Sequence, residues 1–173
     1  MSKTLLKFIF LALILIIVQV VGLNHFCLFG VAMAFAYIYL IIHLPLDLNQ
    51  NWVLTVAFFT GLIIDIFSDT LGMCCLSCTI LAALRKPVLR LYLPREEELT
   101  DPCPSMANIG TSVFVRYSLT MALLYCVCLY LIDAFSFFQP VRLALRIVGS
   151  TLLTWIVLLA VDSIVSRSDE KRL

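Results

Sequence analysis

Charge is what this sequence has least of. Of 173 residues, 12 are Lys or Arg and 11 are Asp or Glu, together 13%, where a soluble domain carries roughly 25%. A soluble chain of this length needs a charged shell around its core, and this one cannot supply it. Histidine is scarce too, with two residues. Gly-x-Ser-x-Gly, His-Glu-x-x-His, a phosphate-binding loop and a glycine-rich dinucleotide turn are all missing. General acid–base chemistry therefore has no paired candidates, so no enzyme is expected and no cofactor is implied. A net charge of +1 removes the basic field that nucleic-acid binding requires. What is present is apolar: 62% of the chain, with a mean hydropathy of +1.06. Disordered chains have the opposite balance. The composition is that of an integral membrane protein.

The apolar runs predict six transmembrane helices in one compact all-α bundle, a single membrane domain over residues 1–173. The spans cover about 5–22, 26–44, 52–67, 71–86, 113–138 and 141–165, each near the roughly 20 residues that cross the hydrocarbon core. Continuous runs favour helices over barrel strands, which alternate every residue. Pro87 is expected to end the fourth span, because proline cannot continue the backbone ladder. A basic start followed by an apolar run also describes a signal peptide, but the run from Leu5 to Val21 has no Ala-x-Ala site after it. It is expected to stay as a span.

Counting Lys and Arg sets the orientation. With the N-terminus inside, ten lie on the cytoplasmic side, and only Arg142 and Arg146 lie on the other. Both termini and the loop 85–112 are then cytoplasmic. That loop opens with Arg85, Lys86 and Arg90 among apolar residues, a segment suited to the headgroup region and anionic lipid. Its acidic stretch, Glu96 to Glu98, reads as a solvated hinge or as a docking patch for a basic partner.

The seven cysteines read as small apolar filling rather than a metal site, since no second ligand pair accompanies Cys75 and Cys78. Ionisable residues inside spans say more, because charge at membrane depth is costly. Gly61, Asp65, Ser68 and Gly72 are spaced to share one helical face. Small residues there admit a neighbouring helix. The face is either an internal packing seam with a partly hydrated carboxylate or a surface for a partner. Asp133 and Arg146 lie at matching depth on either side of the turn at Gln139-Pro140 and are expected to form an intramembrane ion pair. Asp162, near Arg167, is expected at the cytoplasmic surface.

The stretch from Gly61 to Gly72, with its Gly-x-x-x-Asp, short polar turn and Leu-Gly, resembles the signature of the bacterial rod shape-determining protein MreD family. The resemblance extends to length, span number and the basic segment after the fourth span. The cysteine-rich start of that span and Glu96–Glu98 are not family features. The resemblance implies a multi-pass protein of the bacterial cytoplasmic (inner) membrane. It implies a non-enzymatic subunit of the cell-elongation (rod) complex, scaffolding lateral peptidoglycan synthesis and cell shape through MreC. MreB, RodA and a penicillin-binding transpeptidase belong to the same assembly, and a homo-oligomer stays open. It also implies a fold similar to the substrate-binding component of energy-coupling-factor transporters. That similarity carries the rival expectation, a membrane component binding a vitamin-like small molecule.

Overall fold

The computed structural model describes residues 2–23, 33–46, 48–70, 72–92, 110–133 and 140–170. Among these the regular structure is helical throughout. Helix α1 (Ser2–Ile17) passes into a π-helical stretch, Val18–Leu23. The others are α2 (Ile38–His43), α3 (Gln50–Ser68), α4 (Met73–Tyr92), α5 (Thr111–Asp133) and α6 (Pro140–Glu170). Three are long and apolar enough to cross a membrane: Gln50–Ser68, Thr111–Asp133 and Val141–Val165 of α6. The apolar part of α1, Phe10–Gly22, is shorter. Helix α4 carries Arg85, Lys86 and Arg90 in its second half and falls outside that group.

The chain is arranged inside out relative to a soluble domain. Ile66, Val21, Val141 and Ile164 are largely exposed, while Gln19, Asp65, Arg85, Thr154 and Asp162 are buried. In water that distribution would be unstable. In lipid it is the stable one, because hydrocarbon solvates the apolar rim and polar groups must find partners inside. Helix α3 packs on α4, α4 on α5 and α5 on α6, and short α2 sits among α1, α4, α5 and α6. The core is built around it, with Tyr37 to Tyr39 and Ile41 to Ile42 fully enclosed.

Two expectations fail here. The second span is not a continuous helix over 26–44. Residues 24–32 lie outside the described residues, and Met33 to Phe35 are non-helical before a turn at Ala36-Tyr37 leads into the six residues of α2. Uniform hydrophobicity concealed the break, because side-chain bonds replace the backbone ladder there. Pro87 does not end α4 either. The helix runs through it to Tyr92, so the expected loop 85–112 begins as helix, and residues 93–109 lie outside the described residues. Proline removes one ladder bond, and Leu89, buried two residues later, keeps the last turn packed on the core. The fifth helix is described as far as Asp133, with 134–139 outside the described residues, and the sixth extends beyond the expected 141–165 to Glu170.

Candidate functional site

The segment that carries the family resemblance folds as the α3–α4 hairpin. Ser68 closes α3, and Asp69 takes the left-handed conformation with φ 54°, the usual way a helix end reverses. The amides of Asp69 and Thr70 both donate to the carbonyl of Asp65. Gly72 has φ +78°, a conformation that favours glycine, and its carbonyl accepts from Leu76 N as α4 begins. Gly61 touches the backbone of that incoming helix, with a Cβ built on it falling 2.5 Å from Cys75 Cα. One turn further on, the Asp65 carboxylate accepts from Cys74 N at 3.0 Å, Cys75 N at 2.8 Å and Thr70 Oγ1 at 2.5 Å. The first amides of α4 have no partners in their own helix. An anion there satisfies them and complements the helix dipole.

Gly61 and Asp65 thus belong to an internal seam, and Asp65 is buried rather than partly hydrated. Gly72 does not share their face, because the chain has already left α3 when it reaches that residue. Its space beyond the Cα is open, and its role is backbone conformation. Ser68 is half-buried at the helix end.

A second polar group surrounds the broken segment before α2. Gln19 donates to Ala34 O and accepts from Ala36 N, each at 2.9 Å. Met33 N donates to Ser150 Oγ at 3.1 Å and Phe35 N to Thr154 Oγ1 at 3.2 Å. Tyr37 and Tyr125 share a hydroxyl contact in the enclosed core. Tyr130 reaches Ser150 at 2.7 Å. From the start of α2, Tyr39 donates to Asp162 Oδ1 at 2.8 Å and stacks on His43, and at the other end Arg85 donates to the carbonyl of Leu44. A guanidinium at a helix C-terminus complements the dipole from the opposite end.

Arg85 is therefore not at the lipid interface, where the sequence places it. It is fully buried against the end of α2, with Tyr117 beside it. Lys86 donates to Leu48 O at 3.1 Å. Arg90 is exposed. Asp162 is likewise in the core rather than at the surface. Nearness to Arg167 suggested a surface carboxylate, whereas Asp162 accepts from Tyr39, 123 residues away, a contact no local pattern reveals. The cysteines among the described residues are free thiols packed on the core, Cys74, Cys75, Cys78 and Cys126 buried and Cys128 half-buried. No three His, Cys, Asp or Glu side chains among the described residues are placed to hold a metal.

Asp133 and Arg146 do approach, with Arg146 Nη1 4.0 Å from Asp133 Oδ2, but both are about half exposed. At that distance and exposure the pair is worth on the order of 0–1 kcal/mol. A double-mutant cycle with Asp133→Ala and Arg146→Ala, read by thermal unfolding in detergent, should give a coupling below about 1 kcal/mol. A coupling of several kcal/mol would place the pair in dry hydrocarbon instead.

Comparison with protein-family models, curated proteins and solved structures gives no match for this chain. Function must be argued from the residues. The polar groups found here bond to backbone or to one another, and those bonds position helices. Gln19 was visible in the sequence as a polar interruption of an apolar run, and Tyr37, Tyr39, Tyr125, Ser150 and Thr154 carried no signal of their own.

Proposed function

We propose that this chain is a non-enzymatic subunit of the bacterial cell-elongation machinery, of the MreD kind. In this reading it has six spans, sits in the inner membrane with both termini cytoplasmic, and links MreC to the wall synthases. The observation that carries the reading is the Gly61–Gly72 hairpin. Four residues of the family-like signature have structural tasks there: close approach at Gly61, capping by Asp65, backbone reversal at Asp69 and Gly72. A signature that builds a rigid hairpin suits a scaffold. The wide apolar outer surface of α3, with Phe58, Phe59, Ile66 and Phe67 exposed, gives lipid or a partner helix room to pack.

Depletion in the native rod-shaped host should give round or swollen cells, and mild-detergent purification should bring a single-span wall-synthesis protein. Normal shape, with neither result, would remove the proposal. Topology is checked separately by reporter fusions at Asn24, Glu98 and the C-terminus, expected to read outside, inside and inside. An exported signal at Glu98 would overturn that orientation.

One observation favours a second reading, a small-molecule-binding component of a transporter. Interrupted helices with polar and aromatic groups converging on the break are common at transporter sites, and Met33–Tyr37 has Phe35, Tyr37 and Tyr125 around it. Impaired vitamin uptake on depletion, with an ATPase module in the purified complex, would select this reading.

A further inference from the structure

Two positive charges stand on the outer side of α6 with too little to balance them. Arg142 and Arg146 are about one turn apart and both exposed. Among the described residues neither guanidinium makes a hydrogen bond, and their one ion-pair contact is Asp133, 4.0 Å from Arg146. The sequence places no charged residue in 134–139, the connection into α6. Two guanidiniums against one carboxylate leave a positive charge uncompensated, and like charges four residues apart on a helix repel. Arginine also presents a fork of N–H donors that fits a phosphate.

The surface beside them is apolar and has the length of a lipid chain. Leu145, Leu152 and Ile156 are exposed and lie within a quarter-turn of Arg142 around the helix. Leu145 to Ile156 extends about 16 Å at 1.5 Å per residue, against about 15 Å for half of the hydrocarbon core. The apolar part of α6, Val141–Val165, has 25 residues, or about 37 Å, so it outruns a core of about 30 Å. Its remaining charge, Asp162, is buried. The exposed charges of the span therefore gather near its start and hold that end at the level of the lipid phosphates.

We infer that Arg142 and Arg146 form a docking site for an anionic phospholipid, with the phosphodiester between the two guanidiniums and an acyl chain along Leu145, Leu152 and Ile156. A headgroup with one net negative charge supplies the charge that Asp133 leaves unbalanced. A zwitterionic headgroup brings an ammonium of its own and leaves the balance as it was. A protein helix on this face would need an acid at matching depth, whereas every phospholipid carries its phosphate there. The site is separate from the Arg85 segment, where Arg85 is enclosed and Lys86 donates to Leu48 O. It serves a scaffold and a transporter component alike.

Native mass spectrometry tests the site on the full chain, purified in mild detergent and loaded with an equal mixture of dioleoyl-phosphatidylglycerol and dioleoyl-phosphatidylethanolamine. The wild type should retain phosphatidylglycerol in preference. Arg142→Gln breaks no bond among the described residues, so the protein should keep its thermal midpoint while the preferred binding weakens about tenfold, the loss of one charge-assisted contact. Arg142→Gln combined with Arg146→Gln should abolish the preference. Asp133→Asn should strengthen it, because the competing carboxylate is gone, a gain that a merely structural role does not give. Millimolar inorganic phosphate should not displace the lipid. Equal retention of the two lipids, or an unchanged preference in Arg142→Gln, would overturn the site. Displacement by inorganic phosphate would overturn it in favour of a soluble anion. Loss of a co-purifying protein from the double variant, with lipid retention still native, would overturn it in favour of a protein partner.

Discussion

Replacing Gly61 by alanine should cost this protein about 3 kcal/mol of stability. The added Cβ would stand 2.5 Å from Cys75 Cα, 2.8 Å from Cys75 N and 2.9 Å from Cys74 O. All three are backbone atoms, so no rotamer change relieves the clash, and α3 and α4 must part. Overpacking of a tight core costs roughly 1–3 kcal/mol, and a clash with backbone belongs at the top of that range. For a chain of this size, about 3 kcal/mol corresponds to a fall of roughly 6–12 °C in the thermal midpoint. Separation of the helices also lengthens the bonds from Cys74 N and Cys75 N to Asp65. The protein level in membranes should fall with the midpoint. Gly22→Ala is the control, because nothing lies within 4 Å of the added atom. A Gly61→Ala protein with a native midpoint would mean that the two helices do not touch at this position.

The sequence announces the α3–α4 hairpin well and the middle of the bundle poorly, and the cause is physical. A helix hairpin is made from local signals: a small residue for contact, an acid one turn on, and residues that tolerate positive φ at the reversal. All of them fall within Gly61 to Gly72. Yet spacing alone put Gly61 and Gly72 on one face, because it assumed an unbroken helix through Asp69. Burial of Arg85 and Asp162 depends on contacts with α2 from elements far apart in sequence. Charge counting treats an arginine near a helix end as an interface residue, and it does not see that Arg85 is enclosed while Arg90 is exposed. The break before α2 is the least visible feature. Residues 33–42 are apolar or tyrosine throughout, and the acceptors that allow them to leave the helix stand on α6 and on the stretch after α1.

The same geometry moves the search for a partner surface away from Asp65. Asp65→Ala should leave Cys74 N and Cys75 N without acceptors inside the seam, and an orphaned buried donor costs roughly 1–3 kcal/mol. Loss of the anion from the start of α4 adds a few tenths to about 1 kcal/mol. Asp65→Asn retains one acceptor oxygen but turns an NH2 group toward the second amide, so its loss should fall between wild type and Asp65→Ala. Both losses should shrink when Gly61→Ala is already present, because that change has parted the donors from the carboxylate. Co-purification of a partner, normalised to folded protein, should remain native in Asp65→Asn. If partner recovery instead collapses while the thermal midpoint is unchanged, the carboxylate touches the partner directly. The Cys74 and Cys75 amides would then not be what Asp65 is for.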